Sequence, residues 1–323
     1  MTPLRLLPLL PLLLLLPACG GSEEDAAAGF DRARLAVFGE LPEFIEHPEY
    51  GRPSEAMIRL GEKLYRDPRL SADDSISCNS CHDLDRAGVD GKPFSEGVGG
   101  QLGGRNAPTV FHAAGHVAQF WDGRAADVEE QAKGPILNPV EMAMESPEAV
   151  MAKLGGIPGY REAFAEAFPD DPEPFTYDNL GRAIGAFERG LVVRSAFDEF
   201  LAGDDDALTP QQKEGLDLFL STGCASCHNG PYVGGGSFRK LGEVEPWPGL
   251  TDNGRMEATG NEADRYFFKV PSLRLITRTG PYLHDGSIAD LREMIRKMAR
   301  HQLGVELSDD QVDSIAVFLG SLG

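Results

Sequence analysis

The sequence predicts a mainly α-helical protein of two domains related by internal duplication, with little β structure. Three observations predict it. Apolar residues recur at helical spacing behind capping signals, and no run sustains the alternation of a half-buried strand. The pentapeptide Cys-x-x-Cys-His occurs twice, at Cys78–His82 and Cys224–His228. Around each copy, the same short motifs recur in the same order and at matching offsets.

The elements follow in order along the 323 residues. Arg5 and the apolar run Leu6–Leu16 read as an export signal, since the run is too short to span a bilayer. It ends at Leu16-Pro17-Ala18-Cys19-Gly20, which resembles a bacterial lipobox apart from Pro17, so the expectation is that residues 1–18 are removed and Cys19 carries a lipid, the alternative being an ordinary signal peptidase that cuts nearby. Residues 19–45 begin with a small, acidic stretch and read as a tether. Ser54 caps a helix with Met57, Leu60, Leu64 and Tyr65 on one face, and Leu180, Ala183, Ile184, Phe187 and Leu191 mark another. Thr209-Pro210-Gln211-Gln212 is a capping box with Pro at the first helical position, and Ser308-x-x-Gln311 opens the last helix. The glycine-rich stretches 97–104 and 234–236 read as loops. The duplication pairs Pro108-Thr109-Val110 with Pro271-Ser272-Leu273, Trp121-Asp122-Gly123 with His284-Asp285-Gly286, and Gly61-x-x-Leu64 with Gly215-x-x-Leu218. The expected domains are therefore 46–203 and 204–323, joined at the acidic Gly203–Asp206.

The formal charge is −21, from 30 Lys and Arg against 51 Asp and Glu. Nucleic acid is excluded as a partner, because phosphate binding needs a basic face. An acidic surface instead steers basic protein partners. No stretch after the signal is long enough for a membrane helix, which leaves a lipid at Cys19 as the expected route to a membrane.

The paired thiols of Cys-x-x-Cys-His add across the vinyl groups of a haem, and the His that follows reaches the iron. Roughly 0.002 matches are expected by chance at this composition, so two are not accidental. A zinc site built from both pairs leaves each His unexplained and needs ligands far apart in the chain, and a thioredoxin-like dithiol is the other rival. Two covalently bound haems c are expected, in cytochrome c-like domains, at Cys78, Cys81, His82 and at Cys224, Cys227, His228. The other axial position decides the chemistry: filled, a haem passes electrons; open, it binds peroxide.

Beyond these motifs, the chain resembles the bacterial dihaem cytochrome c peroxidases over nearly its whole mature length. The residues that carry the resemblance are CNSCH (78–82), RNAPTVF (105–111), AQFWDGRAAD (118–127), QAKGP (131–135), PVEMAM (139–144), CASCH (224–228), YFFKVPSLR (266–274) and TGPYLHDG (279–286), with the helix ending at Met298 and HQLG (301–304). The resemblance implies a peroxidase that reduces hydrogen peroxide with electrons from a small periplasmic cytochrome c or cupredoxin. It implies a low-potential peroxidatic haem at His82 and a high-potential relay haem held by His228 and Met298. It makes Glu141 the acid/base residue, Gln131 its neighbour and Trp121 the residue between the haems. It puts a calcium ion on Asn106 and the carbonyls of Thr279 and Pro281. It also implies a homodimer.

One departure stands out. Many family members have a histidine in the loop after the first haem motif that caps the peroxidatic iron until the other haem is reduced. Val98 holds that place, and valine cannot ligate iron. The expectation is an open first site without reductive activation, with Glu96, His112 or His116 as the remaining candidates for a substitute ligand. Two other functions are compatible with two haems: a maturation enzyme of the tryptophylquinone-forming type, against which Met298 stands where that relative has tyrosine, and a pure electron-transfer cytochrome.

Overall fold

The computed structural model describes residues 30–323. The expected signal, the lipobox and Cys19 lie outside the described residues. Among those described, no helix is long and apolar enough to cross a membrane.

Helices build two cores of the same design. In the first, the Glu55–Tyr65 helix, capped by Ser54, packs against the Tyr177–Glu188 helix, which also covers the Val128–Leu137 helix. In the second, the Pro210–Thr222 helix, opened by the expected Thr209 capping box, packs against the Asp309–Leu319 helix. Both crossings need a glycine at closest approach. A Cβ on Gly61 would strike the backbone of Ala183, and one on Gly215 would strike the backbone of Ser314. Leu64, Leu180 and Ile184 are fully buried in the first core; Leu216 and Phe318 are in the second. Among the described residues, strand structure amounts to the antiparallel pair Phe238–Lys240 with Phe267–Lys269.

The domain limits differ from those expected. Residues 30–45 do not continue a tether: Arg32–Val37 forms a short 3-10 helix, and Leu35 and Phe38 are buried in the second core. The Ala196–Ala202 helix also belongs there, before the expected junction at 203/204. The reason is aromatic packing. Phe197 lies edge-on to Phe38 at 5.1 Å and to Phe318 at 5.4 Å. Asp198 adds a buried bidentate pair with Arg274, at 2.7 and 2.9 Å.

The duplicated loops fold alike. Gln119 bridges Ala125, and at the equivalent positions Tyr282 bridges Ile288. Phe120 and Leu283, another equivalent pair, both have positive φ, 65° and 74°. The two copies face each other across the domain interface.

Candidate active site

A single connected cavity of about 960 Å³ runs between the two cores and is lined by both Cys-x-x-Cys-His motifs. In the first motif, a Ser77–Ser80 capping box opens the Cys78–Cys81 turn. The Tyr65 hydroxyl donates to the His82 carbonyl at 2.7 Å and fixes the end of that turn. His82 Nδ1 donates to the Pro108 carbonyl at 3.0 Å, which leaves Nε2 as the ring's free ligand atom. Burial lowers the His82 pKa and so favours the neutral ring that metal ligation requires. The second motif repeats the plan around Cys224–Ser226. His228 is likewise lowered, to about 4, by burial. Its Nδ1 is buried beside Pro271, the equivalent of Pro108, without a completed hydrogen bond.

These donors fit haem c. All four cysteines are free thiols, and burial pushes Cys224 up to about 11. A shared zinc site does not form: among the described residues the one cluster of His, Cys, Asp and Glu able to hold a metal ion is His47, Asp127 and Glu129. There Glu129 is already engaged by the Arg189 guanidinium, at 2.7 and 2.9 Å, and by the Tyr50 hydroxyl.

Glu141 and Gln131 both line the cavity with His82. Gln131 sits on the Val128–Leu137 helix. Glu141 follows that helix on a turn, where its Oε1 accepts from Asn138 Nδ2 at 2.9 Å. Burial raises the Glu141 pKa, while Arg124 and the Asn138 bond pull it back. The loop that carries Val98 grips this turn. Val98 N–H donates to the Glu141 carbonyl at 2.8 Å, and a Cβ on Gly97 would collide with the Val140 carbonyl. Ser95 and Gly97, rather than Val98, line the cavity here.

The other candidate ligands for the first haem are placed as follows. Glu96 pairs with Lys92 at 3.0 Å on the exposed side. His112 Nε2 accepts from Val193 N–H at 3.0 Å, a packing role. His116 reaches the cavity wall beside Lys269.

Trp121 lies at the interface. Its Nε1–H donates to the Asn106 carbonyl at 2.9 Å, and its ring is edge-on to His284 at 6.4 Å. Met298 lines the second half of the cavity with Met294, one turn away on the Leu291–Leu303 helix. Asn106 is buried, and its Nδ2 donates to the Lys92 carbonyl at 2.9 Å, which leaves Oδ1 available. Among the described residues, the Thr279 and Pro281 carbonyls accept no hydrogen bond. Arg105 ties the interface together, binding Asp252 twice at 2.7 Å, Asp122 at 2.5 Å and Glu257 at 3.0 Å.

Asn138, Glu188 and Lys269 are among the cavity residues that escaped the sequence reading. Burial, with Glu129 adding to it, raises Glu188 to about 8. Lys269 had a signal in the sequence, as a lone cation within Phe-Phe-Lys-Val-Pro; the other two had none.

Comparison with known proteins bears on this geometry. A family model described as di-haem cytochrome c peroxidase matches residues 55–206. The cytochrome c551 peroxidase of Pseudomonas aeruginosa is 44% identical over 320 residues, covering 97% of this chain and 92% of its own. The methylamine utilization protein MauG of Methylorubrum extorquens is less similar, at 36% over 267 residues, 82% of this chain and 74% of its own. The crystal structure of a MauG-like protein associated with microbial copper homeostasis superposes with a TM-score of 0.77 at 28% identity, covering 87% of this chain and 94% of that one.

Proposed function

The chain belongs to the di-haem cytochrome c peroxidase family and is a haem peroxidase, and from that premise we propose how its residues divide the work. The N-terminal site, with His82, takes the peroxide. The C-terminal site, with His228 and Met298, relays electrons to it. Haem bound at the two motifs supplies the irons that receive peroxide and carry charge.

Glu141 accepts a proton from the near oxygen of the peroxide and returns it to the far one, which leaves as water. A carboxyl raised by burial suits both halves of that exchange. Gln131 lines the same space and orients the peroxide. Overall, one peroxide takes two electrons and two protons to give two waters. Trp121, fixed by Asn106, bridges the two sites. Asn106 Oδ1 with the Thr279 and Pro281 carbonyls offers hard oxygen ligands suited to Ca²⁺ at the interface.

The electron donor is a small cytochrome c or cupredoxin, and the charge of −21 favours a basic one. The enzyme works in the periplasm as a homodimer, tethered through a lipid on Cys19. Val98 offers no ligand atom, so a haem held by His82 would receive none from this position, and peroxide access there would need no reductive activation.

One observation carries this reading: the half-buried carboxyl of Glu141, its pKa raised by desolvation, lines the same cavity as His82. An EPR spectrum of the oxidised protein tests the open site. One high-spin and one low-spin haem are expected; two low-spin haems would refute it. A peroxide titration of half-reduced protein, followed in the Soret band, separates a peroxidase from an electron-transfer cytochrome, which would not respond.

A further inference from the structure

We propose that the duplication has left two equivalent cation positions at the domain interface, and that the Lys269 ammonium fills the second one permanently and positions the Trp121 loop. This rests on reading Asn106, Thr279 and Pro281 as a divalent-cation site.

The offset that carries Pro108 to Pro271 also carries Asn106 to Lys269, His116 to Thr279, Ala118 to Pro281 and Trp121 to His284. The interface obeys this pairing. Asn106 N–H donates across it to the His284 carbonyl at 2.7 Å, and Lys269 N–H donates back to the Trp121 carbonyl at 2.8 Å. The two domains thus meet about an approximate two-fold axis.

Under that symmetry, the three residues of the first cation site become Lys269, His116 and Ala118. The Lys269 ammonium sits among them. Nζ donates to the Ala118 carbonyl at 2.8 Å, the counterpart of the Pro281 carbonyl, and lies 3.5 Å from His116 Nδ1. Where the first copy has an amide oxygen that can bind a cation, the second has a side chain that carries the positive charge itself.

Lys269 is only 7% exposed and forms no ion pair among the described residues. A buried ammonium without a carboxylate partner costs several kcal/mol unless other dipoles hold it. Burial lowers its pKa to about 8, and Asp122 pulls it back in favour of the ammonium. Its bonds to the Ala118 and Trp121 carbonyls fasten both ends of the segment that presents the Trp121 ring. A divalent ion has no place beside a resident ammonium, so the native interface takes one such ion, not two.

The test uses the two-haem holoprotein, stripped with a chelator and dialysed against CaCl₂. Wild type is expected to bind one Ca²⁺ per chain. Lys269→Asn copies the first site and is expected to bind two. Its unfolding midpoint and inter-haem electron-transfer rate should fall without Ca²⁺ and recover in millimolar Ca²⁺. Lys269→Met should lose both properties and recover neither. Asn106→Lys makes the reverse exchange and should bind none, with a midpoint indifferent to chelator. Lys269→Asn that binds no additional ion and gains nothing from Ca²⁺ would overturn the proposal, as would Lys269→Met that behaves like wild type. If wild type binds no ion while Lys269→Asn gains one, the first-site reading fails and the role of Lys269 stands.

Discussion

Replacing Glu141 by Gln removes a proton acceptor while leaving almost everything else in place. The amide matches the carboxylate in volume, and its oxygen still accepts from Asn138 Nδ2, which lies 2.9 Å from Oε1. The turn is held by backbone bonds, from Val98 N–H and to the Asn138 carbonyl, that the substitution does not touch. The loss is therefore confined to acid–base chemistry, which contributes about 10²–10⁴-fold. At 1.36 kcal/mol per decade, that is about 2.7–5.4 kcal/mol of barrier. The assay is peroxide-dependent oxidation of a reduced small cytochrome c. Haem content and unfolding midpoint should match wild type, so that a fall in turnover cannot come from misfolding. The wild-type rate should also fall on the acid side as Glu141 becomes protonated, at a pH above the ordinary carboxylate range because burial raises this group. Glu141→Gln should lose that limb. Turnover within threefold of wild type, or an unchanged acid limb, would remove Glu141 from the mechanism.

Asn138→Ala removes a bond that lowers the Glu141 pKa, so the acid limb of the rate profile should move to higher pH; movement to lower pH would contradict the assignment. Gly61→Ala and Gly215→Ala each force a Cβ into facing helix backbone, and each should cost about 1–3 kcal/mol or more in denaturant unfolding. Asp198→Asn strands the buried Arg274 and should cost about 3–5 kcal/mol. Burial alone would raise Asp198, but Arg274 outweighs it and holds the carboxyl below its usual range. The stability this pair gives is therefore present above the unfolded carboxylate pKa and is lost as pH falls through the lower folded value. Loss of the difference between wild type and Asp198→Asn in acid, measured by unfolding at several pH values, checks the sign.

What could be read from the sequence was what local chemistry dictates. Ser54, Thr209 and Ser308 announce helix starts because each hydroxyl accepts from a specific backbone N–H, and all three do so. The haem motifs are legible because thiols and imidazole must be adjacent in the chain. The domain limits were not, because Phe38 meets Phe197 and Phe197 meets Phe318 across long stretches of chain, and no local pattern encodes those contacts. Asn138 and Glu188 were hidden for the same reason: a polar residue's burial depends on what packs over it. Lys269 stands in the sequence as a lone cation among apolar residues, but its meaning needed the interface.

The two halves begin as copies, and their difference can be traced to one helix position. Asp127 caps the Val128–Leu137 helix by accepting from Glu130 N–H, and its equivalent Asp290 caps the Leu291–Leu303 helix by accepting from Glu293 N–H. Counting from those caps, Gln131 corresponds to Met294, and Pro135 corresponds to Met298. Proline has no N–H to give the preceding turn, and the first helix ends two residues later, at Leu137. The chain then turns at Asn138, so that Glu141 comes to line the cavity. In the second half nothing interrupts the helix, which runs on to Leu303 and brings Met298 to the cavity. On the proposed division of labour, one helix thus ends early and delivers the carboxyl that would move the proton; the other continues and delivers the thioether that would serve as an axial ligand. A duplicated scaffold, held by equivalent glycines at Gly61 and Gly215, needs no new architecture to separate catalysis from relay.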